Sequence, residues 1–293
     1  MALKTGIKLQ SMRIGALLNT SSGSCGVGAD KDLQAALAEA GLQAQKVWCG
    51  GAKQIEDALG EVADHSLDLL IVLGGDGTIR SAAGACTEDG PLLVPLPGGT
   101  MNMLPKALYG ELSWQAALQA TLKDPMERSV SGGSVDGHRF YVAAIFGSPS
   151  LWAEAREAAR EGDLGRALSE GAKAMANSFN KPLGYSFGGK TGEAEALSVL
   201  CPLTSRAMAD DDRALEAAVM TPKGAVDAIA LGFRALFTEW RDDPNVETAR
   251  VRSVDLKSAE PISAILDGET VELGPTAHVD FIPTAFRALV PAR

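Results

Sequence analysis

The sequence predicts an α/β chain: an open α/β domain at the N-terminus, then a mainly antiparallel β domain with helical insertions. Three observations predict it. Apolar runs of strand length alternate with helical patterns as far as Leu122, and such alternation implies parallel pairing with right-handed crossovers. Beyond Pro125, strand-like runs follow one another, as in an antiparallel domain. Two helical stretches, Leu151 to Ala176 and Val226 to Trp240, interrupt that second series.

The first strand is the short apolar run Ile14 to Leu18, which ends at Asn19 and enters a Ser/Gly-rich loop, Thr20 to Gly28. Leu33, Leu37 and Ala40 then share a helical face, and Gly41 is a stop signal. Val47 and Trp48 end a second strand, and Ile55, Leu59 and Val62 mark a second helix. Leu69 to Leu73 and Pro91 to Leu96 are continuous apolar runs, the signature of strands buried on both faces of a sheet. A helix over Leu112 to Leu122 closes the first domain. Ser134 to Phe146 then reads as a hairpin turning at Asp136-Gly137. Ala194 to Leu203, Leu215 to Val219, Val246 to Val254, Ile262 to Leu266 and His278 to Ile282 are further strands.

Composition narrows the function classes. Hydrophobic residues make up 46% of the 293 and charged residues 22%, so a sizeable core can form. The 37 acidic residues outnumber the 27 basic ones, giving a formal charge of −10. That disfavours nucleic acid as a partner, because phosphate backbones need clustered Lys and Arg. Cys25, Cys49, Cys86 and Cys201 lack metal or redox spacing and read as free thiols of a reducing compartment. Met1 to Gln10 has no long apolar stretch, and no apolar run reaches membrane-spanning length. A cytoplasmic protein without a transmembrane segment is expected.

The chemistry concentrates in Gly74-Gly75-Asp76-Gly77-Thr78, directly after the Leu69 to Leu73 strand. In an open α/β sheet, ligands gather beyond the carboxyl ends of the strands. Glycines let the backbone approach a phosphate, while amide N–H groups and the following helix favour its charge. Asp76 would order the loop or hold Mg²⁺ through water, and Thr78 offers a hydroxyl. A second such turn, Pro97-Gly98-Gly99-Thr100-Met101-Asn102, follows the next strand, and Asn19-Thr20-Ser21-Ser22-Gly23 follows the first. Parallel strands would bring all three loops to one sheet edge. The loops contain neither Gly-Lys-Ser/Thr nor Gly-x-Gly-x-x-Gly, so this is no P-loop or dinucleotide fingerprint.

Gly74 to Thr78, with Pro97 to Asn102 about twenty residues on and Asn19 to Gly23 before both, resembles the diacylglycerol kinase catalytic-domain family. That family includes bacterial lipid kinases and is related to sphingosine kinases, within a wider group that includes NAD kinases. The resemblance implies an α/β ATP-binding domain over 1–126, rejoined by 284–293, and a β-sandwich substrate domain over 127–283, with the active site in the cleft. It implies ATP and Mg²⁺, with the nucleotide held by Asn19, Ser22, Gly23, Gly74, Gly75, Asp76, Gly77, Thr78, Gly99, Thr100 and Asn102. It further implies a lipid acceptor, met at the inner face of the membrane. A homodimer is compatible with all of this.

Asp267-Gly268-Glu269 follows the Ile262 to Leu266 strand. Asp-Gly is a common hairpin dipeptide, and Asp136-Gly137 in the same chain reads as a turn alone. Glu269, two residues beyond Asp267, can lie on the same side of the chain. Two carboxylates can divide the work of base and orienter. In the resembled kinases such a turn supplies the base, which makes Asp267, Glu269 and Asp76 the catalytic candidates, with either Asp267 or Glu269 taking the proton. Catalysis would then be in-line phosphoryl transfer from Mg-ATP.

The sequence departs from that family at three places. Met103 follows Asn102 where an acidic residue or histidine is usual, Gly98 precedes Gly99-Thr100, and Thr20 stands in place of proline. Asp210-Asp211-Asp212 resembles a structural Mg²⁺ segment of some relatives, with Asp212 the candidate ligand, although Arg213 replaces the usual glycine. His65, His138 and His278 show no ligand spacing. Two other readings use the same loops. One is an NAD kinase-like enzyme, which would use an Asn-Glu pair absent from this sequence. The other is a non-catalytic nucleotide- or lipid-binding regulator.

Overall fold

The computed structural model describes residues 7–26, 28–62, 65–147, 182–209, 213–221 and 240–292. The expected insertions over Leu151 to Ala176 and Val226 to Trp240, and the Asp210-Asp211-Asp212 segment with the candidate ligand Asp212, lie outside them, apart from Trp240. The chain divides into two compact units, 1–132 with 282–293, and 133–281.

The first unit is built on parallel strands in the order β2-β1-β3-β4. β1 is Ile14–Asn19, β2 Ala44–Gly50, β3 Leu69–Gly74 and β4 Leu92–Pro97. The C-terminal part of β16 (Thr276–Pro291) pairs in parallel with β4, Ala288 opposite Leu93. Every residue of β1 and β3 is buried, which explains their unbroken apolar runs. The helices are α1 (Ala29–Glu39), α2 (Ala52–Val62), α3 (Asp76–Ala85), α4 (Met103–Tyr109) and α5 (Trp114–Lys123). α2 packs against α3, and α1 against α5. Right-handed crossovers require this: the chain steps from β1 to β2 in one direction, then from β2 to β3 to β4 in the other, so α1 falls opposite α2 and α3. Leu33 and Leu37 are buried on α1, and Ile55, Ala58 and Val62 on α2.

The second unit holds two antiparallel sheets over one core. The larger runs β12-β11-β10-β7-β14-β15. Its strands are β7 (Ala143–Gly147), β10 (Ala196–Leu200), β11 (Leu215–Met220), β12 (Val246–Val251), β14 (Ile262–Leu266) and β15 (Glu269–Leu273). The smaller joins the start of β16 to β13 (Ser253–Lys257), β8 (Leu183–Phe187) and β9 (Lys190–Ala194). Phe146, Leu197, Val199 and Leu266 from one sheet and Val254, Leu256 and Val279 from the other belong to one buried cluster. Val254 and Leu256 alternate with exposed Asp255 and Lys257, the period of a sheet with one face buried.

Two strand expectations need correction, and one hairpin was missed. The hairpin at Asp136-Gly137 joins β5 (Pro125–Val135) to β6 (His138–Phe140) only, and the chain then departs, so that β7 pairs with β10 and β14. Val246 to Val254 is two strands, β12 and β13, which part at Arg252 and enter different sheets. The β8–β9 hairpin was not expected at all. All four cysteines are free, and burial pushes the Cys86 thiol up to about 12.

Candidate functional site

The strand order reverses between β1 and β3, the point in such sheets where ligands bind. The loops leaving β1, β3 and β4 are hydrogen-bonded into one junction there. Asn19, at the end of β1, donates from Nδ2 to Thr78 Oγ1 at 2.8 Å, while its Oδ1 accepts the Ser21 N–H at 3.0 Å. The second bond is an Asx turn, which Asn forms readily. Ser22 Oγ accepts the Gly75 N–H at 3.0 Å. The Ser24 N–H reaches Gly98 O at 2.8 Å, and the Gly98 N–H reaches Gly74 O at 2.9 Å.

Glycine at 98 and 99 is required by this contact. A Cβ on Gly98 would stand 2.7 Å from Gly74 N, and one on Gly99 would stand 2.7 Å from Gly75 Cα. The two loops therefore meet backbone to backbone. Asn102 fixes the far end of the third loop. It adopts a left-handed φ of 51°, tolerated best by Gly and Asn. Its Oδ1 accepts the Gly99 N–H at 2.8 Å and its Nδ2 donates to Gly99 O at 2.7 Å.

Asp76 opens α3, with Gly75 as N-cap. Its Oδ1 accepts the Met103 N–H at 2.7 Å, which ties the start of α3 to the start of α4. Among the described residues its Oδ2 accepts no hydrogen bond. Of the eleven expected loop residues, Asn19, Ser22, Gly74, Gly75, Asp76, Thr78, Gly99 and Asn102 are joined by these bonds, and Gly77 sits in the first turn of α3. Gly23 and Thr100 are exposed in the same loops.

The second unit separates its two Asp-Gly turns. Asp136 and Asp267 share left-handed φ values of 46° and 49°, each followed by a glycine at positive φ. Asp136 is exposed. Asp267 is buried, and its carboxylate accepts three consecutive amides: Tyr141 N–H at 2.7 Å on Oδ2, then Val142 and Ala143 N–H at 2.9 and 3.0 Å on Oδ1. Asp267's own N–H donates to Ala143 O at 2.9 Å. Glu269, at the start of β15, is exposed. The amide cluster at 141–143 was missed from sequence, since backbone donors leave no residue-type signal. Among the described residues, no group of three or more His, Cys, Asp or Glu could hold a metal ion.

Residues 13–133 match the model of the diacylglycerol kinase catalytic domain. The whole chain is similar in fold to a crystal structure of a diacylglycerol kinase from Bacillus anthracis str. Sterne. The TM-score is 0.72 at 19% identity, over 96% of this chain and 98% of that one. A second structure from the same organism, provisionally assigned the same activity, gives 0.73 at 20% identity over 96% and 98%. The loops that form the junction, Asn19 to Asn102, all lie inside the segment that matches the diacylglycerol kinase catalytic domain.

Proposed function

We propose that the chain is an ATP-dependent lipid kinase that transfers the γ-phosphate to the hydroxyl of diacylglycerol or a similar lipid. The observation that carries this reading is the single hydrogen-bonded junction of three glycine- and hydroxyl-rich loops at the β1/β3 reversal. Residues 1–126 with 284–293 act as the ATP-binding domain, and 127–283 as the substrate domain.

In this reading Asn19, Ser22, Gly23, Gly74, Gly75, Asp76, Gly77, Thr78, Gly99, Thr100 and Asn102 hold the nucleotide, with amide N–H groups and hydroxyls cradling its phosphates. Asp76 fits a Mg²⁺ site carried mostly by substrate phosphates and water, since that ion commonly takes only one or two protein carboxylates. When bound, the ion neutralises charge that develops on the transferred phosphoryl group. A carboxylate of the Asp267-Gly268-Glu269 turn takes the proton of the acceptor hydroxyl. The hydroxyl oxygen bonds to the γ-phosphorus, the bond to the bridging oxygen breaks, and ADP leaves. Most of the rate comes from positioning and charge neutralisation.

Among the described residues no helix is long and apolar enough to cross a membrane. The enzyme would meet its acceptor from the cytoplasmic side, at the inner face of the membrane. The test is incubation with Mg-ATP and separate panels of lipids and of nucleotides including NAD, followed by measurement of phosphate transfer. Transfer to a lipid supports the reading. Transfer to NAD alone overturns it in favour of a soluble-substrate kinase, and ATP binding without any transfer favours a regulator.

A further inference from the structure

Among the described residues the exposed large apolar side chains are Met101, Met103 and Leu112, at 41%, 36% and 42% exposure. Two of the three flank Asn102 in the loop that completes the phosphate junction. Their backbone is held firmly. Asn102 between them is buried and clamped to Gly99, the Met103 N–H is bonded to Asp76, and Leu104 and Pro105 behind them are buried. Two unbranched apolar side chains are thus presented to solvent from a fixed backbone, directly beside the expected phosphate-transfer centre. Standing two residues apart, Met101 and Met103 are close enough in the chain for one apolar ligand to touch both.

Resting on the lipid-kinase reading above, we propose that Met101 and Met103 form the apolar seat for the acyl chains of the acceptor lipid. The acceptor hydroxyl must come to roughly 3–3.5 Å from the phosphorus to react. Its acyl chains begin only a few bonds from that hydroxyl, so they must lie over ground next to the phosphate loops. Met103 begins at the amide that holds Asp76, which is that ground. Flexible thioether side chains conform to disordered chains of varied length. A nucleobase would be better served by a rigid aromatic face, and residues 98–104 contain no aromatic residue. Lys106, exposed one turn further along α4 and paired with Glu111 at 3.3 Å, limits the apolar strip.

The test compares the wild type, the double variant Met101→Gln/Met103→Gln and the conservative Met101→Leu/Met103→Leu. Each is assayed with long-chain diacylglycerol in mixed micelles and with water-soluble dihexanoylglycerol, and ATP affinity is measured separately. The glutamine variant should lose about tenfold or more in kcat/KM on the long-chain lipid, since one CH₂-scale burial per side chain already approaches that factor. Its rate on dihexanoylglycerol and its Kd for ATP should change by less than about threefold, and the leucine variant should behave like the wild type. An equal loss on both lipids, no loss on either, or a weakened ATP affinity overturns the proposal. A wild type that binds ATP yet phosphorylates no lipid overturns the underlying reading instead.

Discussion

The carboxylate of Asp76 accepts the Met103 amide at 2.7 Å, across 27 positions of sequence, so the residue expected to serve the metal also joins the heads of two helices. Structure and chemistry can be separated there by choice of substitution. Asp76→Asn keeps an oxygen that can accept the amide but removes the charge. Its melting temperature should stay near that of the wild type, while phosphate transfer falls by about 10²–10³-fold, the usual cost of one electrostatic element at such a centre. Asp76→Ala should lose the activity and also about 1 kcal/mol of stability, because the helix-end amide is left without its partner. Denaturant melts paired with single-turnover assays of both variants check this, and an active Asp76→Asn protein would refute the role given to the charge.

Gly98→Ala and Gly99→Ala should fail by sterics. Each new Cβ would stand 2.7 Å from backbone atoms of the neighbouring loop, and backbone cannot move aside as a side-chain tip can. Overpacking of this kind costs about 1–3 kcal/mol. Both variants should therefore unfold at lower denaturant and bind ATP more weakly, with the affinity measured by titration calorimetry. Gly23→Ala is the control, because open space surrounds that position, and it should fold like the wild type.

Asp267 and Glu269 should part company in the same way. Replacing Asp267 with alanine strands the Tyr141, Val142 and Ala143 amides in a buried site. At about 1–3 kcal/mol for each unsatisfied buried group, the second unit should lose several kcal/mol. Asp136→Ala, at the exposed Asp-Gly turn, should cost much less than that. Glu269→Gln should leave stability within about 0.5 kcal/mol, as expected of an exposed strand residue. Any fall in its kcat then reports on proton transfer and not on folding. Equal stability of Asp267→Ala and Asp136→Ala would contradict the structural distinction between the turns.

How much of this was legible in the sequence depended on whether the signal was carried by residue type. β3 was legible because a strand buried on both faces must be apolar throughout. The glycine loops were legible because close backbone approach excludes side chains. The β8–β9 hairpin was not, since Gly184, Tyr185 and Ser186 are only half-buried in the middle of β8 and give no clean alternation. The break between β12 and β13 falls at Arg252, with neither Gly nor Pro to mark it. Asp136 and Asp267 were barely separable, since both are Asp-Gly turns of the same backbone shape and only Glu269 set the second apart. What separates them is a set of amides 124–126 residues away from Asp267. The Ser22–Gly75 bond likewise depends on the register of β1 against β3, which single-residue propensities do not encode.

His278 gives the second unit a pH dependence of definite sign. It sits on β16 directly opposite Asp255 of β13. Its Nδ1 lies 2.7 Å from Asp255 Oδ1, and its Nε2 lies 3.2 Å from Asp280 Oδ1. Asp136, at the β5–β6 turn, accepts the His278 main-chain N–H at 3.4 Å. Neutral imidazole can donate from only one nitrogen, so both carboxylate contacts are satisfied together only by the imidazolium. The hydrogen bond to Asp255, helped by Asp280 and opposed by partial burial, raises the His278 pKa above its ordinary value. A group whose folded-state pKa is raised contributes fully below the unfolded value, near 6.5. That contribution is lost as pH rises through the folded value. The ring is half-exposed, so screening keeps the effect to about 1 kcal/mol or less. Thermal melts of the wild type and His278→Gln between pH 5.5 and 9 should show a stability difference that is largest at the acid end and shrinks upward. The same series in high salt should compress that difference at every pH. A difference that is flat, or that grows with pH, would show that the carboxylates do not hold the imidazolium in solution.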